Sequence, residues 1–181
     1  LKKPIPENFT LEYDMLTDGE FSSPTGGAAT LVLNSRVANA NGNESNGGNG
    51  TRVSIDGISG NEAAYNNNNY MGMLSIHISS VPTDNKQNFS EGISFEYPLR
   101  EFTNKKTKVH VSIKVTSGVL AVLINNKQVA ISTDFKLAYG GKCVTCGLPA
   151  GTIFNTIFWK NSTTDADNIK IYIGNVKIVK N

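Results

Sequence analysis

Apolar and polar residues alternate with a period of two along most of this chain, beginning with FTLEYDM at residues 9–15. Phe9, Leu11, Tyr13 and Met15 share one parity and Thr10, Glu12 and Asp14 the other, which is the pattern of a half-buried strand. The same period predicts strands in ATLVLNSRV, TRVSIDGI, YMGMLSIHIS and GISFEYPL, the last ended or held at a sheet edge by Pro98. In YMGMLSIHIS, Leu74, Ile76 and Ile78 alternate with Met73, Ser75, His77 and Ser79, which puts His77 on the more polar side. The most regular stretch is KVHVSIKVTSGVLAVLINNKQVAIS. Val109, Val111, Ile113 and Val115 fill one face and His110, Ser112 and Lys114 the other, and turns at Thr116-Ser-Gly and Asn125-Asn-Lys make it a three-stranded meander. Its middle member VLAVLI is apolar on both faces, as a strand flanked by others and covered on both sides should be. TIFNTIFWK is likewise apolar on both faces, and NIKIYIGNVKIVK closes the chain. No stretch carries a strong helical period. The pattern therefore predicts an all-β fold, a two-sheet antiparallel β-sandwich whose first and last strands pair in one sheet and so protect otherwise open edges.

Composition agrees with this pattern. A length of 181 residues suits one domain with a real core, so residues 1–181 are expected to form a single unit. Hydrophobic residues are 39% and charged residues 18%, and the remaining polarity comes from Asn, Gly, Ser and Thr, which favour turns over helix interiors. These residues concentrate in TDGEFSSPTGGA, in NANGNESNGGNG and in the tract Asn66 to Asn69, all read as connections between strands. A net charge of +2, with Lys105, Lys106 and Lys108 as the tight basic cluster, gives no basic stripe for a phosphate backbone, and nucleic acid is not an expected partner. No apolar run approaches the roughly 20 residues that span a bilayer as a helix. The chain begins at Leu1 rather than Met. An upstream segment removed as an export signal fits that start, and the expected setting is an exported protein, periplasmic, outer-membrane-associated or extracellular, of which this chain is one part.

Several residues invite chemistry. Cys143 and Cys146 in GKCVTCG can hold half a zinc site, form a redox pair or close a small disulfide loop. Zinc needs two further ligands, but His77 and His110 both sit inside alternating runs, and no βαβ pattern surrounds the pair as thioredoxin-type chemistry requires. A disulfide, or two idle thiols, is the expectation. The Asn residues and Glu44 of the tract at residues 39–50 offer oxygen ligands without the acidic density of a calcium loop, so no metal and no cofactor is expected. The sequons at Asn8, Asn43, Asn49, Asn88 and Asn161 matter only in a eukaryotic secretory pathway. There is no G-x-S-x-G elbow for a serine triad, and the Gly-rich tract at 41–50 is not set between a buried strand and a helix as a phosphate loop would be.

FTLEYDM, HVSIKVTSGVLAVLINNKQVA and IYIGNVKIVKN together resemble the successive strands of concanavalin A-like lectin/glucanase domains, the laminin G-like jelly rolls. The closing phrase is similar to the ends of such domains in Bacteroidetes cell-envelope proteins, some of which precede a peptidoglycan-binding domain. The resemblance runs over nearly the whole chain in strand order and implies the fold before any activity. The glucanases of this group carry Glu, apolar, Asp, apolar, then a further Glu two or three residues on. Glu12-Tyr13-Asp14-Met15 matches the first half of that motif, but Leu16 and Thr17 stand where the last Glu belongs. A two-carboxylate mechanism cannot run with half its groups. No catalytic residue is therefore expected.

Two functions remain open. One is a non-catalytic carbohydrate-binding or adhesive module whose partner is a glycan or cell-envelope polymer. Its candidate contacts are Trp159, Tyr65, Tyr70 and Asn68 in the tract of four asparagines, because sugar rings offer apolar faces to aromatics and hydroxyls to amides. Trp159 has a competing reading as core, since it shares a strand face with Ile153 and Ile157. The other function is a structural or protein-interaction domain without a small ligand.

Overall fold

The computed structural model describes residues 3–18, 27–35, 50–59, 72–81, 91–99, 108–134, 136–137, 148, 151–162 and 170–181. Eleven strands carry the fold: β1 (Phe9–Asp18), β2 (Gly27–Asn34), β3 (Gly50–Ser59), β4 (Gly72–Val81), β5 (Glu91–Leu99), β6 (Lys108–Thr116), β7 (Val119–Ile124), β8 (Lys127–Ile131), β9 (Lys136–Leu137), β10 (Thr156–Ser162) and β11 (Lys170–Lys180). A 3-10 turn at Ser132–Asp134 is the one helical piece among the described residues.

The strands form a five-stranded sheet, in the order β11-β1-β6-β7-β8, and a six-stranded sheet, in the order β10-β2-β3-β4-β5-β9. Every pairing is antiparallel. The chain changes sheet between β1 and β2, β5 and β6, β8 and β9, and β10 and β11. This is the two-sheet sandwich that the alternating pattern predicts. The expected pairing of the first and last strands is present, with Phe9 opposite Lys180 and Asp18 opposite Lys170. It encloses β1 between β11 and β6 and leaves β11 itself at the edge.

The core lies between the sheets and is made by one parity of each strand. Phe9, Leu11, Tyr13 and Met15 from β1 meet Val109, Val111, Ile113 and Val115 from β6, all buried. Leu31 and Leu33, Val53 and Ile55, and Ile76 and Ile78 face them from β2, β3 and β4. Fully burying each such side chain stabilises the fold by about 1.5–3 kcal/mol before entropy is counted. Phe154 closes one end edge-on to Phe9, with ring centroids 6.1 Å apart, and its carbonyl accepts a 2.7 Å hydrogen bond from Ile5 N.

Two short hairpins build the meander. Ser117 and Gly118 between β6 and β7, and Asn125 and Asn126 between β7 and β8, all have positive φ, the mark of the two-residue turns that match strand twist. Asn8 and Asn181 tie the chain ends together. Asn8 Oδ1 accepts from Ser117 N at 2.7 Å, Asn181 N donates to Asn8 O at 3.2 Å, and Asn181 Nδ2 donates to Val115 O at 3.2 Å.

Candidate functional site

With the core parity fixed, the other parity defines the two outer faces. On the six-stranded sheet the register aligns Phe158, Val32, Ser54, His77, Ser94 and Lys136 in one row across six strands. The adjacent row holds Lys160, Thr30, Asp56, Ser75 and Glu96. These positions alternate with the buried Leu31, Leu33, Ile55 and Ile76, so they belong to the face turned away from the core. The register puts polar residues at these positions of β3, β4 and β5, and toward β10 the half-buried Phe158 opposite the fully buried Val32. The two rows thus set an aromatic residue in register with hydroxyl-bearing and charged residues, groups that suit a sugar ring and its hydroxyls.

Of the two readings of Trp159, the structure has the core one. Trp159 pairs with Leu31 and packs against the core, its ring edge-on to Tyr13 with centroids 5.4 Å apart. Its Nε1 is buried and has no hydrogen-bond partner among the described residues. Burial pushes the Tyr13 phenol well above its ordinary value, with the neighbouring Trp159 acting the other way. The ring that β10 turns outward is Phe158. Tyr65, Asn68 and Tyr70 belong to residues 60–71, which connect β3 to β4 and lie outside the described residues. Cys143, Cys146, Lys105 and Lys106 also lie outside them.

Asp14 occupies the outer face of the other sheet, in a setting the sequence reading did not anticipate. Its Oδ1 is 3.0 Å from His110 Nδ1, and its Oδ2 is 2.7 Å from Lys108 Nζ and 2.5 Å from Asn175 Nδ2. Lys108 first, then Asn175 and His110, hold this carboxyl well below the usual carboxylate range. The partners come from both neighbours of β1, since Lys108 and His110 lie on β6 and Asn175 on β11. Asn175 has φ +53° in a bulge where the register shifts between Glu12 and Asp14, so Asn175 and Val176 together oppose Tyr13. The alternation in NIKIYIGNVKIVK breaks at Gly174 and Asn175, which is the sequence trace of that bulge. An acid with both oxygens occupied and its proton held off is poorly suited to donate a proton to a glycosidic oxygen. Glu12 is half-buried on the same face, opposite Lys177 and Ser112. Among the described residues no group of three or more His, Cys, Asp or Glu is placed to hold a metal ion.

No protein-family model matches the chain, and no curated protein matches it. Solved structures do. A glycoside hydrolase family 16 endo-glucanase from Bacteroides ovatus, in complex with G4G3G-2F-DNP, is similar over 98% of this chain and 71% of that one, with 10% identity and a TM-score of 0.57. A GH16 protein of the Bacteroides ovatus mixed-linkage glucan locus, in complex with a G4G4G3G product, covers the same shares at 11% identity and a TM-score of 0.55. The exoplasmic/lumenal domain of VIP36 in its Ca2+/Man-bound form matches 98% of this chain and 69% of that one, at 12% identity and a TM-score of 0.50. At such identities the likeness defines the fold alone. The chain has a concanavalin A-like jelly-roll fold, as its resemblance to the lectin/glucanase domains implies.

Proposed function

We propose that this chain is a non-catalytic carbohydrate-binding or adhesive module of an exported bacterial cell-envelope protein. The observation that carries the proposal is the register of the six-stranded sheet, which sets Phe158 in one row with Val32 and Ser54, beside a row of polar positions that includes Asp56, Ser75 and Glu96. In this reading Phe158 supplies the stacking ring. Tyr65, Asn68 and Tyr70, in the connection between β3 and β4, supply further aromatic and amide contacts. The solved neighbours add support, because the two Bacteroides ovatus structures hold glucan-derived ligands and the VIP36 domain holds mannose. The non-catalytic part rests on Asp14, whose carboxylate is committed to Lys108, His110 and Asn175.

A glycan array followed by calorimetry on the retained glycans tests the reading. Binding should weaken about tenfold or more in Phe158→Ala and in Tyr70→Ala, the scale of one lost stacking contact of roughly 1–1.5 kcal/mol. Reducing-sugar release from β-glucans should stay at the buffer background. If no glycan is retained, the chain is a structural or protein-interaction domain. Turnover that disappears in Glu12→Gln or Asp14→Asn would make it a hydrolase.

A further inference from the structure

The outer face of the five-stranded sheet carries a recess where β11 bulges. Tyr172 stands opposite Leu16 and Gly174 opposite Asp14, so both lie on the parity that β1 turns away from the core. Tyr172 is 52% exposed. Among the described residues nothing lies within 4 Å of the place that a Cβ on Gly174 would occupy. The β11 position beside Asp14 is therefore an open notch with a backbone floor and an exposed aromatic residue at one end. At the other end stands Asn175, held at φ +53° in the bulge, with its amide turned to Asp14.

Asp14 fixes the polar groups around this notch before any ligand arrives. Its carboxylate accepts from Asn175 Nδ2, Lys108 Nζ and His110 Nδ1, which leaves Nε2 as the free ring nitrogen of His110. Lys108 and Asn175 keep further N–H groups to donate, while Asn175 Oδ1 and the neutral His110 Nε2 can accept. These side chains have no other partner among the described residues. The charges around the notch balance: Lys108 is paired with Asp14, and Lys170 and Lys177 stand opposite Asp18 and Glu12. Such a balance favours neither an acidic sugar nor a cation, but it matches a neutral hydroxyl, which both donates and accepts. We propose that the notch is a second saccharide site, which takes one neutral pyranose ring. The apolar face of the sugar lies against Tyr172, and its hydroxyls exchange hydrogen bonds with Asn175, Lys108 and His110 above Gly174. Because Asp14 already holds those three side chains, binding has little left to order. The site rests on the glycan reading above only for its class of ligand. Its residues belong to the other sheet, so the chain holds two glycan segments at once, one on each outer face.

The test titrates the intact, isotope-labelled chain with the methyl pyranosides of glucose, galactose, mannose and N-acetylglucosamine, and with methyl glucuronide as the acidic control, following amide resonances. At least one neutral pyranoside should shift the amides of Tyr172, Gly174 and Asn175, and should still do so in Phe158→Ala. Gly174→Leu fills the notch where an added side chain meets nothing, so it should weaken that binding by about tenfold or more without lowering the melting temperature. Tyr172→Ala, which removes the stacking ring, should weaken it on the same scale. Three results would each overturn the proposal: no pyranoside shifts these amides, the shifts survive Gly174→Leu at full affinity, or the glucuronide binds more tightly than every neutral sugar. The two faces separate cleanly. Glycan-array binding lost in Gly174→Leu but kept in Phe158→Ala would leave this site standing and sink the face that bears Phe158, whereas pyranoside shifts that vanish in Phe158→Ala and persist in Gly174→Leu would do the reverse.

Discussion

Asp14 shows how one residue converts a sequence motif into a fold device. Its carboxylate accepts from groups on both flanking strands, so it pins β1 to β6 and to the bulge of β11 at one point. A group whose folded pKa is depressed contributes stability above its unfolded pKa and loses it as pH falls toward the folded value. The urea midpoint of the protein should therefore fall on acidification below pH ~4, the ordinary range of an aspartate, and Asp14→Asn should flatten that part of the profile. Equal acid sensitivity in both proteins would show that the pin contributes nothing. Tyr13, next along the strand, behaves with the opposite sign. Its raised pKa means that the neutral phenol is the stable form, so its contribution is complete below pH ~10 and is lost as pH rises further. Spectrophotometric titration should show one tyrosine that ionises only as the sandwich unfolds, and Tyr13→Phe should remove that step. Gly118 is fixed by geometry. With φ +79° and an added Cβ only 2.9 Å from the Leu148 carbonyl oxygen, Gly118→Ala should destabilise by about 1–3 kcal/mol, measured by urea unfolding.

At the scale of the strand, legibility followed burial. β1 and β6 could be read from period two because their inward residues are buried on one parity; Ile113 lies between Ser112 and Lys114, and only the sheet interior could satisfy that order. The hairpins were readable too, since Ser117-Gly118 and Asn125-Asn126 carry residues that tolerate positive φ. β10 was not, because Ile157, Phe158 and Trp159 are all apolar and a period of two says nothing when both parities are hydrophobic. Only the register, with Trp159 opposite Leu31 and Phe158 opposite Val32, decides which ring faces out. The Asp14 cluster was hidden for a different reason. Lys108 and Asn175 are 94 and 161 residues from Asp14 in sequence, and cross-strand neighbours at that distance appear only once the sheet order is known. Leu11 and Ile178 should show the consequence of strand position: Leu11→Ala should lose about 2–5 kcal/mol, as other buried leucines do. Ile178→Ala, at an exposed edge, should lose much less, and equal losses would mean that the edge is covered.

At the scale of the molecule, the chain closes its five-stranded sheet with its first and last strands. β1 becomes an interior strand only when β11 arrives, which requires residues 9–18 and 170–180 to pair across almost the whole sequence. Such non-local pairing demands a large loop-closure entropy before its contacts form, and sandwiches of this kind fold in about milliseconds to seconds. Much of the core outside β1 and β11 is supplied by local meanders, β2 to β5 in one sheet and β6 to β8 in the other, with Ile5, Leu148, Phe154 and the β10 residues Ile157 and Trp159 added to them. We expect a disulfide between Cys143 and Cys146, if one forms, to close a short loop and to stabilise by no more than the usual ~2–4 kcal/mol, so that reductant lowers the melting temperature without unfolding the sandwich. Removal of residues 170–181 should do far more. It would turn β1 into an open edge, uncover one flank of Phe9, Leu11, Tyr13 and Met15, and take away Asn175 and Asn181, which tie Asp14, Asn8 and Val115 to the end of the chain. The truncated chain should lose its cooperative thermal transition and bind a dye specific for exposed apolar surface, whereas reduced full-length protein should do neither. A sharp transition in the truncated chain would mean that the meanders hold the fold without their closing strand.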